Sequence, residues 1–142
     1  MRWLLLDEVV EIRKGLRART RSRLPESPTS PAALLMEMMA QTGGLLLGAE
    51  DDFSRDIVFA KIEEADFAPS LKTGDLLDIE ASSGDLRPEG AWIEARVHTE
   101  KGEVARSRFL LVGAGRLKPE LDRSVTFHPA FMDHLRVREK VR

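Results

Sequence analysis

The chain has no cysteine, only three histidines, and aromatic residues at just 6% of its length. Without cysteine there are no disulfides, no thiolate metal centres and no cysteine nucleophile, and the composition is compatible with a reducing compartment. An excess of one charge is also missing. Against 22 Lys and Arg stand 24 Asp and Glu, a net charge of -2, so no overall field draws the chain to nucleic acid. Long apolar runs are scarce. The opening MRWLLLDEVV has a short apolar piece that stops at Asp7, too little for the core of a secretion signal. There is no internal repeat and no low-complexity tract. The expectation is a cytoplasmic protein forming a single domain over residues 1–142. Its 42% hydrophobic and 32% charged composition is that of an ordinary globular chain with enough length to bury one core.

One stretch organises what is present. Residues 31–48 read PAALLMEMMAQTGGLLLG. Ser30 is placed to cap a helix, Pro31 suits its first position, and Gly43, Gly44 and Gly48 mark its end. No β-branched residue interrupts before Thr42, and Ala, Leu and Met favour helix. Apolar residues run almost all round it, which predicts a helix enclosed by protein. Glu, Gln and Gly interrupt the run, so it reads as too short to span a bilayer and no membrane association is expected. Met36, Met38 and Met39 read as core filling. Glu37 and Gln41 are four apart and share one face. A carboxyl group inside such a helix is costly unless it is paired or neutralised.

The rest of the chain reads mainly as strands. Residues 3–12 form a first strand, Arg13 to Gly15 turn, and the chain then alternates, with Arg17, Arg19, Arg21 and Arg23 on one side and Ala18, Thr20 and Ser22 on the other. That basic stripe reads either as a solvated edge or as a docking patch for an acidic partner. Residues 24–30 are a proline-punctuated loop and 49–56 an acidic, polar connection. Residues 57–67 start like a strand and become mixed. Residues 75–81 are a strand with Leu77 and Ile79 on one face. Residues 91–99 and 103–113 form a hairpin through Glu100-Lys101-Gly102, with Ile93, Ala95 and Val97 opposite Trp92, Glu94, Arg96 and His98. Past Gly113 the chain is unassigned, apart from a short helix over 129–141 with Phe131, Leu135 and Val137 inward. One enclosed helix with most strands after it points to an α+β domain in which an antiparallel sheet packs on that helix.

The segment from Pro28 to Gly44 resembles the 3-hydroxyacyl-acyl-carrier-protein dehydratases of the hotdog fold. That family carries P-x-x-P-G-x-L-x-x-E-A-x-A-Q-x-x-G; this chain keeps Pro28, Pro31, Leu34, Glu37, Ala40, Gln41 and Gly44. Weaker matches are Phe59-Ala60-Lys61-Ile62 leading to Phe67, Gly74-Asp75, and the opening LLLDEVVEI, so the likeness covers about residues 3–113. The resemblance implies a curved antiparallel sheet wrapped around the long helix and edge-to-edge pairing of two protomers, a homodimer or a higher or mixed assembly. It implies a site using a histidine just before the helix and an acidic residue on the partner's helix. It makes Glu37 the catalytic candidate and Arg23, Ala32, Gln41, Phe59 and Ala60 the substrate-binding candidates, with no cofactor and no metal. The family's histidine falls on Arg23, and its H-F-P-G reads Arg23-Leu24-Pro25-Glu26. Arginine stays protonated and cannot act as a general base. The glycine after the second proline is Ala32, whose methyl narrows the approach of a carbonyl.

Three functions follow as expectations. The first is a dehydratase-like protein acting on or binding acyl thioesters, with an incomplete dyad. The second is a non-catalytic subunit that binds an acyl carrier protein or partners a dehydratase. The third is a thioesterase in which Glu37 activates water. An arginine pairing with Glu37 would favour the second. His98 reads as outward-facing, and His128 and His134 lie in the unassigned tail, where a lone histidine is most simply structural or solvated.

Overall fold

The computed structural model describes residues 4–69, 71–121 and 124–142; Trp3, at the start of the expected first strand, lies outside them. Six strands form one antiparallel sheet: β1 (Glu8–Arg13), β2 (Arg17–Arg23), β3 (Ile57–Phe67), β4 (Leu76–Ser82), β5 (Gly90–Thr99) and β6 (Gly102–Gly113). Their order across the sheet is β1-β2-β4-β5-β6-β3. Helix α1 (Pro31–Gly48) lies along the concave face, which makes this the hotdog fold. The first strand is shorter than expected, with residues 4–6 preceding it as irregular chain.

Helix α1 begins where the sequence places it. The Ser30 side chain accepts from the Ala33 N–H, and Pro31 opens the first turn. Its packing face is buried from Leu34 to Gly48, and the inward residues of β4 and β5 (Leu77, Ile79, Ile93, Ala95 and Val97) meet it. Two devices hold helix and sheet together. A Cβ at Gly43 would sit 3.0 Å from Ile93 Cγ2 and 3.3 Å from the Phe109 ring, so glycine is what permits the close approach. Thr42 donates to the Met38 carbonyl at 2.9 Å, so the 2.8 Å contact between the buried Thr20 and Thr42 hydroxyls has Thr20 as donor.

With the 3-10 turn Ala49–Asp51 the helix is long and apolar enough to cross a membrane, a correction to the expectation that it is too short. Most of its apolar window is instead buried inside the fold, as for the core helix of a sheet-wrapped domain.

β3 is an 11-residue edge strand with little of its length covered on either face, and Val58, Phe59 and Ile62 are exposed. Its register on β6 slips at Ala60 and again at Glu63, which is why its hydrophobic alternation looked mixed. The tail folds onto the same body. Helix α2 (Pro129–His134) is followed by a 3-10 turn over Val137–Lys140. The single helix expected over 129–141 is broken at Arg136, which takes the left-handed conformation with φ 51°. Leu135 and Val137 are buried as expected, while Phe131 is only half-buried. The last residues stitch to β1: Val141 bridges Ile12 in parallel, Arg142 N–H donates to the Ile12 carbonyl at 2.7 Å, and Lys14 N–H donates to the Arg142 carbonyl at 3.1 Å.

Candidate functional site

The chain closes a cavity by folding its tail over the end of α1. Asp56, in the polar connection before β3, is fully buried. Its Oδ2 accepts from Leu117 N–H at 2.7 Å, and its Oδ1 accepts from Thr126 N–H at 2.9 Å and from the Ser124 hydroxyl. Ser124 in turn accepts from Phe127 N–H at 2.9 Å, and Thr126 Oγ1 accepts from Ile57 N–H at 2.8 Å. Burial pushes the Asp56 carboxyl up, but the hydrogen bonds from Ser124, Thr126, Leu117 and Val125 outweigh it and hold the group below its ordinary value. Phe127 then packs edge-on against Phe53, with ring centroids 5.1 Å apart. Gly48 makes room for both rings, since a methyl there would overlap Phe127.

The result is a cavity of about 280 Å³. One wall is the edge of α1 at Glu37, Ala40, Gln41 and Gly44; another is Ile57, Phe59 and Leu111 of the sheet; the tail contributes Val125, Thr126, Phe127, His128 and Phe131. Phe59 stacks on the buried Phe109 ring at 5.2 Å, which fixes it at the cavity side. The lining is mostly apolar, with a few polar groups on opposite walls, as in a small-molecule site.

Those polar groups are oriented by their partners. The Gln41 carbonyl oxygen accepts from Leu5 N–H at 3.4 Å, which turns its amide NH₂ toward Glu37 Oε1 at 3.1 Å. Glu37 thus has a built donor beside it and is half-buried. Across the cavity, His128 caps α2, its Nδ1 accepting from Ala130 N–H at 3.0 Å. Accepting at Nδ1 places the ring proton of a neutral imidazole on Nε2.

Of the six candidate residues, Glu37, Gln41 and Phe59 line this one cavity. Arg23, Ala32 and Ala60 are not among its described lining residues. Arg23 lies in a separate groove with Gly74, Asp75 and Leu76, its guanidinium donating to the Gly74 carbonyl at 3.1 Å, so it makes no pair with Glu37 inside the protomer. Ala32 is half-buried in the first turn of α1, and Ala60 is exposed where β3 slips register. His98 and His134 are exposed. The basic stripe of β2 faces acidic neighbours. Arg21 pairs with Asp78 at 2.8 Å, and Arg19 stands opposite Glu80 and Glu11. Of the stripe, Arg21 thus has its charge met within the sheet. Among the described residues no cluster of His, Asp and Glu is gathered to hold a metal.

The residue that sequence reasoning passed over is His128. A signal for it was present: His128-Pro129 repeats the cap-then-proline arrangement of Ser30-Pro31, which marks an ordered helix start rather than a loose tail.

No family model matches the chain. Curated relatives do. A 3-hydroxyacyl-[acyl-carrier-protein] dehydratase FabZ of Geobacillus thermodenitrificans is 30% identical over 126 residues, covering 80% of this chain and 86% of that protein. The FabZ of Chlamydia pneumoniae is 33% identical over 93 residues, which are 62% of this chain and 61% of that protein. Among solved structures, a chain of a dehydratase heterocomplex from Xenorhabdus doucetiae superposes with a TM-score of 0.66 at 16% identity, covering 79% of this chain and 84% of that one. A Streptococcus mutans protein bound to acetyl CoA gives 0.64 at 18% identity, covering 83% and 96%. The structural likenesses support the hotdog fold, and the sequence relatives are more specific, the Geobacillus protein matching over most of both chains: the chain belongs to the FabZ family of 3-hydroxyacyl-[acyl-carrier-protein] dehydratases.

Proposed function

We propose that this protein binds the acyl thioester of an acyl carrier protein in the Glu37 cavity, as a hotdog subunit that departs from the family's standard histidine-glutamate dehydration. The observation that carries the reading is the cavity itself: a mostly apolar, partly open pocket with an oriented carboxyl group, built on the helix segment that resembles the family motif. In this reading Arg23 takes the place of the family's histidine; its guanidinium donates to the Gly74 carbonyl, which supports a binding or partner role over the standard reaction. The exposed β3 edge supports pairing with a second hotdog chain, either a copy of this one or a relative. A dehydratase heterocomplex is among the similar structures, which supports the mixed pairing. The absence of cysteine fits a cytoplasmic setting, which is part of the proposal.

Calorimetric titration with saturated acyl-pantetheine thioesters and with acylated carrier protein tests this. Saturable binding is expected, and it should be lost in Gly44→Leu, because Gly44 lines the cavity with nothing within 4 Å of a Cβ, so a larger side chain there grows into the ligand space; circular dichroism checks that the variant is folded. No binding of any acyl thioester by the native protein would refute the proposal.

A further inference from the structure

We infer that Phe127, supplied by the tail, is the end wall of the acyl groove and restricts the bound thioester to short and medium acyl chains. The inference rests on the thioester-binding reading and adds to it the residue that measures the chain. Glu37, Gln41, Gly44 and Gly48 follow one another at helical spacing, so they form one row along α1. The cavity follows that row from Glu37 to Gly44, a rise of about 10 Å along the axis, and Gly48 is not among its described lining residues. The two glycines differ in what stands over them. A Cβ at Gly44 would have nothing within 4 Å, whereas one at Gly48 would overlap the Phe127 and Phe53 rings. Phe127 therefore fills the place one turn beyond Gly44, where a longer ligand would continue along the row.

The wall is held from two sides. Phe127 N–H donates to Ser124 Oγ at 2.9 Å, and the Ser124 hydroxyl donates to the buried Asp56. Phe53 meets the Phe127 ring edge-on, with centroids 5.1 Å apart. Asp52 and Phe53 both take the left-handed conformation, with φ 56° and 60°. A bulky residue adopts it rarely, and it persists where the surroundings over-determine it. That turn sets Phe53 against Phe127 and backs the ring that ends the groove.

The size of the space gives the class of ligand. A cavity of about 280 Å³ holds roughly nine groups of the size of a water molecule at about 30 Å³ each, and a methylene is of similar size. The thioester carbonyl and sulfur at the Glu37 end take about three of these places, which leaves room for about six carbons.

The test is calorimetric titration of the native protein with saturated acyl-pantetheine thioesters from acetyl to palmitoyl. Affinity should rise about fourfold for each methylene buried and stop rising at about six to eight carbons. Phe127→Ala vacates the end of the row and should move that break to longer chains. Phe127→Leu keeps an apolar contact for Phe53 and should move the break the same way by a smaller step; it is the variant to read if circular dichroism shows the alanine variant unfolded. Gly44→Ala adds a methyl to the open part of the row and should move the break to shorter chains. Affinity that climbs to palmitoyl without a break overturns the inference, as does a break that stays in place in folded Phe127→Leu or in Gly44→Ala. Either result leaves the binding reading standing, whereas no binding of any thioester removes both.

Discussion

Asp56→Asn is the substitution that bears most directly on how the cavity is made. The change preserves shape and removes a charge. In the native chain one carboxylate oxygen accepts from Ser124 and Thr126 and the other from Leu117. An asparagine can keep its oxygen toward Ser124 and Thr126, but its NH₂ then meets the Leu117 N–H head-on. One hydrogen bond to a charged group is lost and two become neutral. Bonds to charged groups contribute about 1.5–3 kcal/mol each, so the variant should lose roughly 2–3 kcal/mol. For a domain of this size that corresponds to a fall in Tm of roughly 5–10 °C. Thermal unfolding followed by circular dichroism measures it, and hydrogen exchange should show faster opening confined to residues 114–128. The pH dependence supplies a second check. Asp56 is held below its ordinary value of 3.8 when folded, so its contribution is fully present above that value and is lost as the pH falls through the lower, folded-state value. Asp56→Asn should therefore flatten that part of the acid-denaturation curve. A variant with native Tm and an unchanged acid limb would refute the claim that this carboxylate latches the tail.

Glycine-to-alanine changes four residues apart on α1 should act in opposite directions. Gly44→Ala faces open space and should stabilise by up to about 1 kcal/mol through helix propensity, whereas Gly48→Ala must displace the Phe127 and Phe53 rings and should cost about 1–3 kcal/mol; urea denaturation distinguishes the two signs. Thr42→Val removes the acceptor of the buried Thr20 hydroxyl and should cost about 1–3 kcal/mol, with the double variant Thr20→Val/Thr42→Val less destabilised than the sum of the singles in a denaturation cycle. Ile62→Arg on the exposed edge strand should shift sedimentation toward the monomer while leaving far-UV circular dichroism unchanged; an unaltered sedimentation profile would place the subunit contact elsewhere.

What could be read in advance follows from the range of the forces involved. Helix α1 was legible because its signals are local: Ser30, Pro31 and an unbroken run of helix formers, with the observed bounds falling where those residues are. The β5–β6 hairpin was legible because Ile93, Ala95 and Val97 alternate with exposed residues over a short turn. Glu37 and Gln41 were legible as polar groups on an otherwise apolar helix. Asp56 was not, since within its own segment it is one more acid in a polar connection; it is buried by residues about 60 to 70 positions away. A still longer separation hid His128, which lines the same cavity as Glu37 next to the Phe127 ring that Gly48 admits. The arginine stripe was visible, but its acidic counterparts at Asp78 and Glu80 come from a strand paired only after folding.

The stitching of the chain's last residues onto β1 has a consequence for polymerisation. A sheet with two bare edges can add neighbours on both sides and grow without limit. Here Val141 and Arg142 occupy part of the β1 margin, while β3 presents its margin open along 11 residues. A particle with one sticky side and one blunted side can associate about a two-fold axis, and the contact then consumes the only long edge it has among the described residues. If two chains pair through β3, that contact would close on itself instead of propagating into a fibre. By occupying part of one margin, Val141 and Arg142 would restrict edge-to-edge growth on the β1 side.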